Sequence, residues 1–463
     1  MKVGTVTQKF IVSQMRLDGK FHLSDGLKVR ALINKSPYGL KKIKDMCSDI
    51  YCPGIFRRHY VKSGTAFLGG GDIQKSDLDS GKYLRESSTP NYEVLQIKKG
   101  WTLVTCGGTI GDCVFANNLH AKCWASQHVM RVIPASIKEG MLYGYLASNY
   151  GKLLLCTDTY GSVIPTLNAE SIGTLPIPNF PESFQQQVDE LIQESAKLRE
   201  EATALLSDAQ KKLKEYASLK DLDTSDYDFY GPSVKGREPS TFVLSRKSID
   251  TTSINAFNYS ERIRKTKLLV RNSVPLKEVL LDGETFSTGS FPRVEVNSTN
   301  GIMLINQSDI FDTIIKGKYI SRRNVKTHNL VEYGEVLVAG VGTLGESETF
   351  CRAIYANEDL VGQLVSGEFI RMKVNSTIPS GYLFAWLNSD YGFRFIRNTQ
   401  AGTKLCRPIP ALFLEIPVPI LSAEQMKEID QLVTKAHTLK YKANCNERAA
   451  ISMVEEEIEK WNN

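Results

Sequence analysis

At 463 residues the chain is long enough for about three domains at ~150 residues each. Its 42% hydrophobic and 23% charged residues are those of an ordinary soluble globular protein, and no stretch approaches the ~18 uninterrupted apolar residues of a membrane span. The net charge of +6, from 57 basic and 51 acidic residues, is compatible with a nucleic-acid partner without demonstrating one.

No apolar run followed by a small-residue cleavage site opens the chain, so no secretion signal is expected. The nine cysteines are scattered and contain no C-x-x-C pair, so they read as free thiols in a reducing cytosol, many of them buried. From about residue 10 to 178 the chain alternates short strands and turns. Val94–Ile97, Trp101–Thr105 and Val129–Ile133 are β-branched or aromatic runs bounded by Lys98-Lys99-Gly100 and by Pro134. Leu142–Leu155 has helical spacing interrupted at Asn149 and Gly151, so the region reads as α+β.

The character then changes. From Pro181 to about Leu219, Val188, Leu191, Ser195, Leu198, Ala202, Leu205 and Ala209 recur at alternating spacings of three and four. That predicts a helix with a heptad-like seam. A polar connector follows, about 221–240, with Gly231-Pro232, Gly236 and Pro239. A second α+β stretch leads, through helical spacing at Tyr382–Phe395, to a second seam of Ile429, Leu432, Ala436, Leu439 and Ala443, opened by a Ser422/Gln425 capping box. Ile451, Val454, Ile458 and Trp461 continue the apolar face, and Glu455-Glu456-Glu457 reads as a solvated face. Each apolar stripe needs a partner. Either the two helices pair antiparallel, or each packs on its own module.

The chain says nearly the same thing twice. Tyr150-Gly151 recurs as Tyr391-Gly392, Leu175-Pro176-Ile177-Pro178 as Ile416-Pro417-Val418-Pro419, and Val188–Ile192 as Ile429–Val433, all at an offset of 241. Gly161 recurs as Gly402. Upstream the offset slips: Gly108-Thr109-Ile110-Gly111 matches Gly342-Thr343-Leu344-Gly345, Asp72-Ile73 matches Asp309-Ile310, Gly81-Lys82-Tyr83 matches Gly317-Lys318-Tyr319, and Phe10–Ser13 matches Phe242–Ser245. Such slips are loop insertions, which surfaces tolerate. A period this long is no solenoid repeat. It describes two copies of a whole module with pseudo-twofold symmetry, sharing scaffold and differing in loops.

Catalytic signatures are missing: no phosphate loop G-x-x-x-x-G-K-[ST], no H-E-x-x-H and no G-x-S-x-G. Gly69-Gly70-Gly71-Asp72 reads as a turn capped by Asp72, with Asp309 in the same role. Cys113, His120, Cys123 and His128 have the wrong spacing for zinc and no counterparts in the second copy, so no metal is expected. Basic residues cluster in loops near the matched turns: Arg57, Arg58, Lys62, Lys75, Lys82, Tyr83 and Arg85 in the first copy, and Lys316, Lys318, Tyr319, Arg322, Arg323, Lys404 and Arg407 in the second. Arg and Lys with interleaved Tyr suit phosphates and base edges. A solvated loop is the alternative for each cluster.

The Gly-Thr-[Ile/Leu]-Gly turn, the Gly161 and Gly402 segments leading to Leu-Pro-Ile-Pro and Ile-Pro-Val-Pro, and the long helix directly after each resemble the specificity subunit of type I restriction–modification systems. The target-recognition subunits of multi-subunit type II systems look similar. Arg16–Phe21 fits the family's usual opening, and Ser253–Asn258 is its degenerate second copy. The resemblance implies two α+β target-recognition domains (1–180 and 241–420) separated by two long antiparallel coiled-coil helices (181–220 and 421–463), with a connector at 221–240. Each domain would read half of a bipartite duplex DNA target, and the helices would set the unread spacing. Thr109 and Thr343 in the matched turns join the basic residues as DNA contacts, and Val188, Leu191, Leu198, Leu205, Ile429, Leu432 and Leu439 carry the helix and subunit interface. Two methyltransferase subunits, which bind S-adenosylmethionine, and a restriction or translocase subunit would be the partners in the cytoplasm. This chain would hold no cofactor and perform no catalysis, since it has no Asn-Pro-Pro-Tyr signature. The rival readings are an enzyme of unknown class on a duplicated α+β fold, or a coiled-coil scaffold that ignores DNA.

Overall fold

The computed structural model describes residues 3–157, 166–230, 241–249 and 251–462. Gly161 and the connector's Gly231-Pro232, Gly236 and Pro239 lie outside them. The chain divides into two units, Met1–Glu200 with Lys442–Asn463, and Glu201–Tyr441. Among the described residues no helix is long and apolar enough to cross a membrane.

In the first unit, β1 (Leu40–Lys42) pairs antiparallel with β9 (Pro176–Pro178). β2 (Cys47–Tyr51), β5 (Thr102–Thr105), β6 (Cys113–Phe115) and β8 (Val129–Pro134) form an antiparallel sheet in the order β2-β8-β5-β6. β3 (Thr65–Leu68) pairs antiparallel with β4 (Tyr83–Leu84) and parallel with β7 (Trp124–Ala125). The expected strand at Val94–Ile97 is instead a 3-10 turn, Tyr92–Leu95. It is too short of cross-strand partners to extend, and only Gln96 bridges to Trp124.

Two helices, Glu139–Ala147 and Asn149–Thr157, lie where the interrupted helical spacing predicted them. Tyr150-Gly151 makes their elbow. Ser148 Oγ accepts the Gly151 N–H (3.0 Å), and a Cβ on Gly151 would sit 2.1 Å from Tyr145 O. Only glycine fits that approach. Arg131 on β8 is fully buried without a carboxylate: it donates to the carbonyls of Leu95, Ala125, Ser126 and Val129 at 2.6–3.0 Å.

In the second unit, β10 (Ser273–Pro275) pairs with β19 (Pro417–Pro419). β11 (Gly301–Ile305) lies between β12 (Lys318–Ser321) and β15 (Leu364–Val365), and β13 (Val336–Ala339) between β14 (Ala353–Tyr355) and β16 (Phe369–Met372). β17 (Gln400–Ala401) and β18 (Arg407–Pro408) make a small hairpin. Helices Ser380–Leu387 and Asp390–Asn398 meet at Asn388-Ser389, and a Cβ on Gly392 would lie 2.2 Å from Trp386 O. Arg371 on β16 is fully buried and forms a two-pronged pair with Glu335 (2.9 Å at both oxygens). Phe10–Ser13 lies in a helix, Gln8–Gln14, whereas 242–245 has no regular structure and Val243 is exposed, so that proposed match fails structurally.

The first long helix spans Glu182–Tyr216 and the second Ala423–Glu459, 35 and 37 residues. The Ser422/Gln425 capping box is present in both directions (3.2 and 3.3 Å). Each helix contributes to both units. In the first, Val188, Ile192 and Ala196 share a core with Ala450, Val454, Ile458 and Trp461 and with the α+β body. There Ser195 Oγ donates to Ala443 O (2.8 Å), and Arg199 reaches Asn444 (2.8 Å) and Glu447. In the second, Ala209, Leu213, Met426, Ile429 and Val433 join the core. Glu201 pairs with Lys435 (3.1 Å), and Lys212 and Tyr216 with Glu428 (2.9 and 2.6 Å), which is antiparallel pairing.

Helix pairing and packing on the body therefore occur together, and the buried face is wider than a two-helix seam. Val188, Ile429 and Leu439 are buried as expected, but Leu191, Leu198, Leu205 and Leu432 are only half-buried, while Ile192 and Val433 one position on are covered. The acidic run is not simply a solvated face. Glu455 accepts the Asn149 N–H (2.6 Å), and Glu457 accepts from Tyr38 Oη (2.6 Å); Glu456 alone of the three is exposed.

An aspartate on each long helix holds the start of the helix pair in its unit. Asp189 Oδ1 accepts the Gly140 N–H (2.6 Å) and Asp430 Oδ1 the Gly381 N–H (2.8 Å). Burial raises the Asp430 carboxyl against the lowering effect of that amide. This accounts for the matched Val188-Asp189 and Ile429-Asp430 positions.

Candidate nucleic-acid interface

In the first unit the β5–β6 loop carries Gly107-Gly108-Thr109-Ile110-Gly111. Gly108 and Gly111 have φ of +83° and +80°, a region closed to most side chains. The loop is shut at its base: Gly111 N–H donates to Thr105 O (3.0 Å), Thr105 N–H to Asp112 O (2.9 Å), and Asp112 N–H to Thr105 Oγ1 (3.1 Å). The Asp112 carboxylate is buried and accepts from Lys152 Nζ (2.6 Å) and Gln74 Nε2 (3.2 Å). Gln74 belongs to the turn in which Asp72 Oδ2 accepts the Gly69 N–H (2.8 Å), the cap predicted there. Tertiary structure thus brings the Asp72 turn and the Thr109 turn together, with Thr109 exposed at the tip.

The second unit builds the β13–β14 loop differently. Gly342 exchanges backbone bonds with Cys406 (3.2 and 2.7 Å), which sets the Gly402–Arg407 loop beside it. Thr343, Lys404 and Arg407 are all exposed on this paired feature. Gln307 accepts the Val341 N–H (3.1 Å). The Asp309 side chain accepts from Asn306 Nδ2 (3.0 Å) and Ser308 Oγ (2.9 Å), so the capping role expected of it is not the backbone one that Asp72 plays.

Below this loop Glu346 is buried and gripped by two arginines. Arg394 binds both carboxylate oxygens (2.9 and 2.7 Å), Arg397 reaches one (3.4 Å), and the Tyr230 N–H donates as well (2.9 Å). Burial works to raise the Glu346 carboxyl, but Arg394 and Arg397 overcome it and hold it below its usual range. Arg394 lies 3.7 Å over the Tyr227 ring and Arg397 4.9 Å over Phe393.

The other predicted contacts divide into free and engaged groups. Arg57, Lys62 and Arg85 are exposed in the first unit, as are Arg322 and Arg323, which follow β12 in a 3-10 turn capped by Ser321. Arg58 is held by Gln127 (2.7 Å) and lies 5.2 Å over the Phe67 ring. Lys82 pairs with Asp72 (3.5 Å), Tyr83 donates to Asp79, and Lys318 pairs with Glu295 (2.6 Å). Lys75 and Tyr319 are half-buried. The pairs involving Lys82 and Lys318 are partly exposed and weak enough to be exchanged for a phosphate.

Sequence reasoning missed Asp112, Glu346, Arg394 and Arg397. A signal was present: an acidic residue directly follows both matched turns, at the same offset as the turns.

His120 is buried in the first unit. Its ring nitrogens meet Asn117 Oδ1 (2.8 Å) and Ile73 O (3.3 Å), a buried structural histidine whose pKa is pushed down to about 4, chiefly by burial. Among the described residues no three or more His, Cys, Asp or Glu side chains converge as a metal site. A pH dependence follows. Above pH ~6.5 the ring is neutral folded and unfolded and contributes no slope. As pH falls below ~6.5 the unfolded state takes up the proton first, and stability is lost down to about pH 4, by roughly 3 kcal/mol at most. His120→Gln should flatten that part of the stability–pH curve, measured by urea unfolding between pH 7 and 4. An unchanged slope would show that the histidine protonates freely in the fold.

Residues 38–203 match the family described as the type I restriction modification DNA specificity domain. Among solved structures, the S subunit of a type I restriction–modification system from M. genitalium is similar at 12% identity, covering 92% of this chain and 96% of that one, with a TM-score of 0.36. The HsdS subunit from Thermoanaerobacter tengcongensis is similar at 12% identity, covering 92% and 99%, with a TM-score of 0.27. A third, described as the structural basis underlying complex assembly and conformational transition of the type I R-M system, has 13% identity, covers 92% and 97%, and has a TM-score of 0.28. No curated protein matches. The similarity to the type I restriction modification DNA specificity domain thus rests on residues 38–203.

Proposed function

We propose that this chain is a DNA-recognition specificity subunit that reads a bipartite duplex target and is not itself a catalyst. The observation that carries this is the similarity of residues 38–203 to the DNA specificity domain, together with an exposed turn at Thr109 and with Arg57, Lys62 and Arg85 exposed in the same unit. A second target-recognition domain at 241–420 is supported by the repeated sequence. It is supported too by pairings of like order, β11 between β12 and β15 as β3 is between β4 and β7. In this reading 1–180 is the first such domain, 181–220 and 421–463 are the spacer helices, and 221–240 connects them. Methyltransferase subunits, two in number, would supply S-adenosylmethionine and adenine methylation in the cytoplasm, and a restriction or translocase subunit the cleavage. The described seam residues Val188, Ile429 and Leu439 serve within the chain, so the partners would dock on the outer helix faces.

The test is methylome sequencing of cells carrying this chain with its methyltransferase. Two different half-sites around an unread gap are expected, because diverged loops present different side chains to each half. A continuous motif, or a palindrome, would overturn the reading.

A further inference from the structure

We infer that Asp112 and Glu346 are positioning residues for DNA readout, each locking a glycine-rich turn at the angle from which it meets the duplex. The inference rests on the function proposed above.

A loop with Gly107, Gly108 and Gly111 in seven residues starts with more backbone freedom than the same loop without glycine. Readout of base edges needs donors and acceptors held to within about half an ångström. The freedom has to be removed from below, since the tip is exposed. In the first unit Asp112 does this with both halves of the residue. Its backbone closes the loop onto Thr105, and its carboxylate ties the loop end to Lys152 on the Asn149–Thr157 helix and to Gln74 on the Asp72 turn. In the second unit the carboxylate of Glu346 binds Arg394 and Arg397 on the Asp390–Asn398 helix, and Arg352 donates to its carbonyl (3.0 Å).

The construction is the same in kind, a carboxylate immediately after Gly-Thr-[Ile/Leu]-Gly held by a cation of the second helix in the pair. The partners are not the same. Lys152 is 45% exposed and lends a single point charge, whereas Arg394 is 11% exposed and binds through a fork. A partly exposed lysine pair contributes little to stability, so a purely structural purpose accounts poorly for the first latch. Fixing the loop's direction accounts for both.

The experiment uses the full chain assembled with its methyltransferase and duplex probes mutated in one half-site at a time. Asp112→Asn and Lys152→Ala are each expected to lower discrimination at one half-site by about tenfold. Preference at the other half-site should stay as it was, as should affinity for unrelated DNA and thermal unfolding. Glu346→Gln is expected to do the same at the opposite half-site. Its partners Arg394 and Arg397 are buried with it, which makes misfolding a risk, and the first-unit variants, with Lys152 half-exposed, keep the test decisive. Wild-type half-site preference in both Asp112→Asn and Lys152→Ala would overturn the inference. So would equal relaxation at both halves, or a loss that follows unfolding. If the unaltered chain shows no half-site preference at all, it is the proposed function that fails, a result visible before any variant is made.

Discussion

Replacing Glu335 by alanine is expected to destabilise the second unit by about 3–5 kcal/mol, the usual cost of leaving one member of a buried ion pair alone. Both side chains are 1% exposed, so solvent cannot take over the role of the carboxylate. Arg371 would retain the carbonyls of Asn329 (2.9 Å) and Leu330 (2.7 Å), and its position 4.8 Å over the Phe286 ring. It would lose both charge-assisted bonds. Glu335→Gln keeps one acceptor and should fall between wild type and alanine. Urea unfolding followed by Trp386 fluorescence reads this unit alone once Trp101, Trp124 and Trp461 are changed to phenylalanine, because Trp386 is its one tryptophan. A loss under about 1 kcal/mol would show that water or a neighbour replaces the carboxylate. The first unit would be untouched, since there Arg131 bonds four carbonyls instead of an acid.

Removing four exposed cations of the second unit, by changing Arg322, Arg323, Lys404 and Arg407 to alanine, is expected to weaken duplex binding roughly 100-fold near physiological salt. At about 0.9 per phosphate contact, four contacts would lower the magnitude of the log–log salt slope by about 3.6. Lys404 and Arg407 flank the loop that Gly342 pairs with, whereas Arg322 and Arg323 sit past β12. Testing them two at a time distinguishes the sites. A variant pair that changes the slope without changing half-site preference touches phosphate, and one that relaxes a single half-site reads a base edge. Fluorescence anisotropy across 50–200 mM KCl gives both quantities. An unchanged slope and affinity in the folded variant would show that these four residues face solvent in the complex.

Several elements are legible in the sequence. The long helices and the Ser422 cap follow from spacing and from one hydrogen-bonding pair of residues. The interrupted helical stretches became two helices each, broken at serine caps where the pattern broke. The repeated Tyr-Gly and Asp positions have direct causes, a close backbone approach and a helix-start anchor. The strand expected at Val94–Ile97 failed because β-branched content registers a local preference and cannot say whether a neighbour is available to pair with it.

The sequence by itself determined the α+β character, the pair of long helices, the exposed glycine turns and the basic residues near them. Those features depend on local periodicity, glycine conformation and charge, which act over a few residues. Only the tertiary structure decided which half-covered leucines are not the true seam, because a helix packed against a body as well as a partner buries a broader face. It decided too which cations are engaged within the chain, Arg58, Lys82 and Lys318 among them. The Asp112–Lys152 and Glu346–Arg394 pairs also needed it: each joins residues some forty positions apart, and sequence spacing carries no record of which side chains the folded backbone brings within hydrogen-bond reach.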